Sequence, residues 1–480
     1  MSGCFEVLHK DLAGRIGRLH TPHGMIETPA LMPVVNPHLW LIEPADLKRI
    51  GAKILITNSY IINQDEDLKE EALEEGLHRL LGFDGPIMTD SGAYQLSVYG
   101  DIQVRPDEIL RFQQAIGSDI CVPLDIPTPP DVPLARAESE LRETERRLIE
   151  ARDHRDESSS LLAAPIQGST YPDLRRATAH RLKNEGFDVY PIGAVVPLME
   201  SYRFGDLVKV VAASKEGLGP GAPVHLFGAG HPMIIALAAA LGCDLFDSAA
   251  YVLYARQGRY LTVGGTKRLE DLRYLPCSCP VCRSHTPEEL MICENRVEKL
   301  ALHNLHVTFE EIRRVKQSIW EGSLWELLEE RCHAHPRMVD GMRAICDQSR
   351  WLERLDPISK STPFYLGPKS VARPVVIRYG SRIGRIELKG DVLVTDSREE
   401  EKMEGFDHVL RFKPPFGPYP SELAETTPLN AEVPEETDPV AMEEALSNLE
   451  TLMEANPEAH FTLRLRSTER EHEIEQMEGT

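Results

Sequence analysis

Three aspartates stand where short apolar runs come to an end. In "DLFDSAAY" (244–251), Asp247 interrupts a run that otherwise reads as buried. A carboxylate left unpaired in apolar surroundings costs several kcal/mol, so such a residue needs a task. Asp90 closes "PIMTD" (86–90), and Asp125 lies near the end of "DICVPLDI" (119–126). Each one alone reads as a cap for the turn or helix that follows. Three carboxylates from separate runs, brought to one pocket, would do more: one attacks a sugar carbon while another moves a proton. Gln167 ends "LLAAPIQ" (161–167), and Gly193 with Ala194 lie at the end of "VYPIGAV" (189–195). An amide and a stretch of small-residue backbone would thus join the same pocket.

A second set of reactive residues follows. "PCSCPVCRSH" places Cys277, Cys279 and Cys282 within six residues. Thiolates at that spacing on a tight loop suit tetrahedral zinc and require a fourth ligand. His285, Cys293, His303 and His306 lie downstream, and spacing alone does not choose among them. A closed set of three Cys and one His would make a structural site. "RCHAHPRM" (331–338) matches no zinc spacing and reads as ordinary structure.

These residues need elements to hold them. Eight short apolar runs precede residue 250: 29–35, 52–58, 86–90, 119–126, 161–167, 189–195, 223–230 and 243–249. Most are continuous rather than alternating, as in strands buried on both faces. Helical patterns lie between them. "RPDEILRFQQAIGS" has Pro106 near a start and Gly117 as a stop, and "LKEEALEEGLHRLLGF" and "YPDLRRATAHRLKNEGF" have the same character. Eight such pairs predict a (β/α)8 TIM barrel, with its chemistry at the C-terminal ends of the strands. A doubly wound sheet is the competitor, but no G-x-G-x-x-G or Walker-type loop supports it.

The 480 residues exceed one ordinary core, so further domains are expected. No apolar stretch approaches the ~18 residues of a membrane span. With no signal-peptide pattern at the N-terminus, a cytoplasmic protein with no membrane partner is expected. Nine cysteines, an odd number, read as thiols or metal ligands rather than a disulfide framework. The net charge of −23 does not exclude a nucleic acid: residues 391–480 hold 23 acidic against 7 basic side chains, which leaves the first 390 nearly balanced.

Read together, "MTDSGAYQ", "PLDIPTPP", "APIQGS", "IGAVVPLME", "FDSAAYVLYAR", "CSCPVC" and "LALHNL" resemble the tRNA-guanine transglycosylases, the archaeal branch most closely, over roughly residues 5–365. That resemblance implies a barrel catalytic domain over 1–365, with an inserted zinc-binding subdomain at about 270–345. A smaller α+β C-terminal domain, with an acidic and partly helical tail, would occupy 366–480. It implies Asp247 as nucleophile and Asp90 as general acid/base, although accounts of the family differ on which of the pair attacks. Asp125, Gln167, Gly193 and Ala194 would bind the base, and Cys277, Cys279, Cys282 and His303 would hold one structural zinc ion. The implied reaction replaces guanine 15 in the tRNA D-arm by 7-cyano-7-deazaguanine, toward archaeosine. Arg256, Lys267 and Arg268 are candidate phosphate contacts. The resemblance also implies a homodimer through the zinc subdomain. No segment reads as the PUA module that usually closes such chains, so a separate PUA-domain protein is expected as partner. The alternatives are a non-catalytic tRNA-binding paralogue, which would be expected to lose an aspartate or a ligand, and an unrelated barrel hydrolase.

Overall fold

The computed structural model describes residues 5–93, 105–155, 160–397 and 404–465. Tyr94 and Gln95 of "MTDSGAYQ", and the acidic tail beyond 465, lie outside the described residues. The chain divides into two compact units, residues 1–345 and 346–480. No described helix is long and apolar enough to cross a membrane.

The first unit opens with an antiparallel sheet that reading for continuous apolar runs did not anticipate. It consists of β1 (Phe5–Asp11), β2 (Gly14–Thr21) and β3 (Gly24–Thr28), paired in that order. Parallel strands follow at each of the eight predicted runs. They are β4 (Ala30–Pro33), β5 (Leu55–Asn58), β6 (Ile87–Asp90), β7 (Ile120–Cys121), β8 (Leu161–Leu162), β9 (Tyr190–Ile192), β10 (Val224–Leu226) and β11 (Leu245–Ser248). They form two four-stranded parallel sheets, β4-β11-β10-β9 and β5-β6-β7-β8. Isolated parallel bridges, Val34 with Ile56 and Ala163 with Val189, lie between strands of the two sheets. The architecture is therefore mixed α/β.

Several ladders are shorter than the runs that predicted them. Pro123 and Pro165 have no N–H to donate, so the regular ladders end ahead of them, and past Pro165 only an isolated bridge, Ile166 with Ile192, resumes the pairing. Asp125 and Gln167 consequently stand on extended loops past β7 and β8 rather than on the strands. The helix expected over 68–83 is split at Gly76, which adopts φ +86 between the helices Glu66–Glu75 and Leu77–Leu80.

Residues two apart along the strands point to one interior: Ile54 with Ile56, Ile120 with Val122, and Leu161 with Ala163 all join a single buried cluster. Leu19 of β2 and Ile26 of β3 belong to the same cluster. The β2–β3 turn reaches the N-terminal ends of the parallel strands, where the His23 N–H donates to Asp119, just before β7, at 2.8 Å. That end is covered, which leaves the C-terminal ends as the open side.

After β11 come the helix Ala250–Arg256, the hairpin β12 (Arg259–Thr262) and β13 (Gly265–Arg268), and the long helix Arg296–Glu321. The second unit contains β14 (Gly390–Thr395), β15 (His408–Lys413), β16 (Gly417–Pro420) and β17 (Ala459–Arg464). They pair in the order β16-β15-β14-β17. Val392, Val394, Leu410 and Phe412 pack against Ala445, Leu449 and Leu452 of the helix Pro439–Ala455. The segment from Arg373, which reads as β-rich in sequence, instead begins with the helix Pro374–Gly380.

Candidate active site

A cavity of about 530 Å³ is lined by Asp90, Asp125, Gln167, Gly193, Ala194 and Asp247, together with Asn58, Gly228 and Arg256. All six predicted pocket residues are thus brought together. That volume suits a small organic ligand.

Asp247 lies on β11, one strand over from β10. Its Oδ1 accepts the Gly228 N–H at 2.7 Å and faces His225 Nε2 at 2.8 Å. Its Oδ2 accepts no hydrogen bond from the described residues. One oxygen is anchored and the other is available.

Asp90 ends β6, directly opposite Asn58 in the β5–β6 register. Asn58 Nδ2 donates to Asp90 Oδ2 at 3.1 Å, while its Oδ1 caps the next helix by accepting from the Ile61 N–H at 3.0 Å. Burial, and then the negative charges of Asp125 and Asp247, push the Asp90 carboxyl up to about 7. The Ser91 and Gly92 N–H groups only partly offset this. Near neutral pH, Asp90 can both hold and give up a proton.

Asp125 is pushed up to about 6, chiefly by burial, with the Gln167 hydrogen bond opposing it. Gln167 Nε2 donates to Asp125 Oδ2 at 2.6 Å. A carboxylate only accepts, so this bond fixes the amide's orientation. Gln167 Oε1 is then left buried with no partner among the described residues, an acceptor at the cavity wall suited to a ligand N–H. Gly193 is required here, because a Cβ would stand 2.2 Å from Gln167 Nε2. Ala194 adopts φ 56, a left-handed conformation rare for a residue with a side chain.

Sequence reasoning missed the residue that holds this wall. Arg175 is fully buried, and its guanidinium donates to the carbonyls of Ser169 at 2.8 Å, Ile166 at 3.0 Å and Gly193 at 3.0 Å. It staples the loop after β8 to the end of β9. Burial without a carboxylate partner lowers it to about 9. Within "DLRRATAHRL" nothing distinguishes Arg175 from its exposed neighbours. Only a helical-wheel count placing it on the same inward face as Thr178, Ala179 and Leu182 could have singled it out.

Cys277, Cys279, Cys282 and His303 converge, their ligand atoms all within 4.8 Å of one another. His303 Nδ1 lies 3.5 Å from Cys279 Sγ and 3.3 Å from Cys282 Sγ. Its Nε2 donates to the Leu261 carbonyl at 3.0 Å, which leaves the Nδ1 lone pair facing the thiols. Tyr260 stacks on the His303 ring at 3.6 Å. Three soft sulfurs and one oriented imidazole form a group that could hold a metal ion. Two of the other fourth-ligand candidates are engaged elsewhere, and His306 is not in the converging group. His285 bonds the Val281 carbonyl and Lys299, and Cys293 bonds Asn295 and Lys299. In "RCHAHPRM", His333 Nδ1 pairs with the Glu329 carbonyl, and His335 Nδ1 accepts from the Arg337 N–H, each a local backbone contact. Of the proposed phosphate contacts, Arg256 lines the cavity, while Lys267 and Arg268 are exposed on β13.

His23, His78 and Asp119 also cluster, at the covered end. Their imidazoles stack face to face, 3.6 Å apart at 27°. Lone pairs lying in near-parallel planes do not converge on one point, so this is a hydrogen-bonded tie for the β2–β3 turn.

The chain matches the family model described as "Queuine tRNA-ribosyltransferase" over residues 11–337. It is 59% identical over 463 residues to the tRNA-guanine(15) transglycosylase of Methanosarcina barkeri, covering 96% of this chain and 94% of that protein. The Haloarcula marismortui protein of the same name is 54% identical over 465 residues, with 96% and 94% coverage. That of Archaeoglobus fulgidus is 51% identical over 462 residues, with 95% and 94% coverage.

Proposed function

Since the chain belongs to the queuine tRNA-ribosyltransferase family, we propose that it exchanges guanine 15 of tRNA for 7-cyano-7-deazaguanine through a ribosyl ester on Asp247. What carries the reading is the state of the two carboxylates on one cavity: Asp247 has one oxygen anchored and one free, and Asp90 is poised near neutrality. The two parallel sheets, with their bridges, are read as one (β/α)8 barrel whose C-terminal ends carry this cavity. In the same reading the catalytic domain is 1–365, with the metal-binding subdomain at about 270–345; the compact unit that carries the cavity ends at residue 345.

Asp247 Oδ2 attacks C1′ of the target nucleoside, and the C1′–N9 bond breaks as Asp90 gives its proton to the departing guanine. The ribose is held as an ester. The incoming base loses a proton from its ring nitrogen to the Asp90 carboxylate, that nitrogen attacks C1′, and Asp247 leaves. Two inversions retain configuration. Asp125 and Gln167 Oε1 accept the N–H groups of the guanine-like edge, and the Gly193–Ala194 backbone completes the wall. The target base must leave the folded tRNA to reach the cavity. Arg256, at the cavity wall, is placed to meet a phosphate. The ion at the cysteine cluster is zinc on the chemistry of its donors, and it has a structural role. A homodimer through this subdomain belongs to the same reading, in a cytoplasmic enzyme.

The test is exchange itself. Enzyme, a guanine-15 tRNA transcript and 7-cyano-7-deazaguanine are incubated, and the digested nucleosides are weighed. A mass shift at that nucleoside is expected. Release of guanine without incorporation would mean a hydrolase. No change with folded, metal-loaded enzyme, even with a PUA protein added, would favour a binding paralogue.

The pH dependence follows from the same groups. Asp125 works as an acceptor once ionised, above about 6, and Asp90 as an acid while protonated, below about 7. So kcat/KM for tRNA should rise through the first value and fall through the second, a narrow bell whose limbs belong to the coupled set. A profile from about pH 5 to 9 checks it. A plateau extending above pH 8 would remove Asp90 from the acid role.

A further inference from the structure

We infer that His225 is a positioning residue for the attacking carboxylate, a neutral donor that turns Asp247 Oδ2 toward the substrate and steadies the charge when the ester breaks. This rests on the reading of Asp247 as nucleophile.

The geometry is specific. His225 lies on β10, fully buried, with Nε2 2.8 Å from Asp247 Oδ1. Its other nitrogen, Nδ1, is buried with no hydrogen-bond partner among the described residues. An imidazolium would leave a charged N–H unsatisfied there, a costly arrangement. A neutral ring with its proton on Nε2 satisfies the carboxylate and leaves only a weakly solvated lone pair at Nδ1. Phe227, two residues along and on the same face, packs its ring against the imidazole at 4.4 Å and 57°. Rotation of the ring is therefore opposed by packing. With the Gly228 N–H on the same oxygen at 2.7 Å, Oδ1 holds two donors and Oδ2 none among the described residues.

The chemical consequence has a sign. In the ester, Oδ1 is the carbonyl oxygen, a weaker acceptor than a carboxylate oxygen. When the C1′–O bond breaks, negative charge returns and the His225 bond strengthens. The donor thus favours the free carboxylate over the ester and lowers the barrier to its departure. A purely structural residue has no such preference.

The experiment compares wild type, His225→Phe, His225→Gln and Asp247→Ala on a guanine-15 tRNA transcript. Exchange rate, KM for tRNA, melting temperature and the fraction of RNA covalently bound on a denaturing gel are measured. His225→Phe should lower kcat about 10- to 100-fold with KM little changed. It should also raise the covalent fraction at equilibrium, and His225→Gln, whose amide can still donate, should restore much of both. Wild-type kcat and covalent fraction in His225→Phe would overturn the inference. So would equal loss of rate and adduct in His225→Phe and His225→Gln. If His225→Phe does not fold, nitrogen-15 histidine spectra of the wild type decide: an Nε2–H tautomer at neutral pH supports the role, and an imidazolium or Nδ1–H tautomer overturns it. An RNA adduct persisting in Asp247→Ala would sink the nucleophile assignment, and with it this role. An adduct-free Asp247→Ala beside an unaffected His225→Phe would sink this role alone.

Discussion

Asp247→Ala should abolish base exchange, lowering the rate by roughly four orders of magnitude or more, the scale seen when a group acting directly in covalent catalysis is removed. The variant should still fold. Asp247 lines a cavity, and its loss frees the Gly228 N–H and His225 Nε2 beside that space. tRNA binding, measured by gel shift, should survive within a few-fold, because contacts to phosphates and to the base edge lie elsewhere. Asp247→Asn is the sharper test. It keeps the shape and can accept from the same donors, yet an amide oxygen is a far poorer nucleophile, so it too should be inactive. Activity in Asp247→Asn within about tenfold of wild type would exclude a covalent ester at this residue. The attack would then have to be sought at Asp90.

Removing the metal should have the largest effect on stability. With the cluster holding one zinc ion as proposed, Cys282→Ser, or exhaustive chelation, is expected to remove it. Structural zinc supplies roughly 10–16 kcal/mol to isolated zinc-finger peptides. In a larger unit that can stay folded around a loosened subdomain, part of this would appear as a lowered melting temperature and part as local unfolding. The damage should reach the active site by an identifiable route. His303 and Asn304 are neighbours on the helix Arg296–Glu321. Asn304 Oδ1 accepts the Leu261 N–H at 2.9 Å, and its Nδ2 donates to the Tyr251 carbonyl at 3.2 Å. Tyr251, four residues past Asp247, donates its hydroxyl to the Val34 carbonyl at 2.9 Å. Exchange activity should therefore fall along with metal content. His285→Ala and Cys293→Ala serve as controls. If either releases the ion while Cys282→Ser keeps it, the ligand set is wrong.

Much of this site could be read before any coordinates. The three aspartates, Gln167 and the Gly193–Ala194 pair all reach one cavity because strand ends in a parallel sheet point the same way, and apolar runs mark where strands end. The N-terminal sheet was missed because its strands carry exposed residues such as Arg18 and His20 between buried ones, and a search for continuous apolar runs passes over that pattern. The acidic stretch around 439–455 reads as one helix and is one. The β-rich reading just after Arg373 failed: "PVVIRY" has strand-like composition but packs as a helical turn, with Val375 and Val376 buried against Phe416 and Leu429.

The sequence by itself determined the order of the eight parallel strands, the candidate carboxylates and the three thiols of the metal site, because these depend on residue type and on spacing within a few positions. Residue spacing alone left the fourth ligand open; the resemblance implied His303, and the tertiary structure brings it to the three thiols. Only the tertiary structure decided that Arg175 staples the cavity wall and that His225 meets Asp247. Those contacts join residues 6 to 24 positions apart in the chain. Each depends on strand register, on a loop's path or on which face of a helix turns inward. A histidine or arginine carries no local mark of such a partner. It acquires one when packing excludes water and leaves a single hydrogen-bonding group within reach.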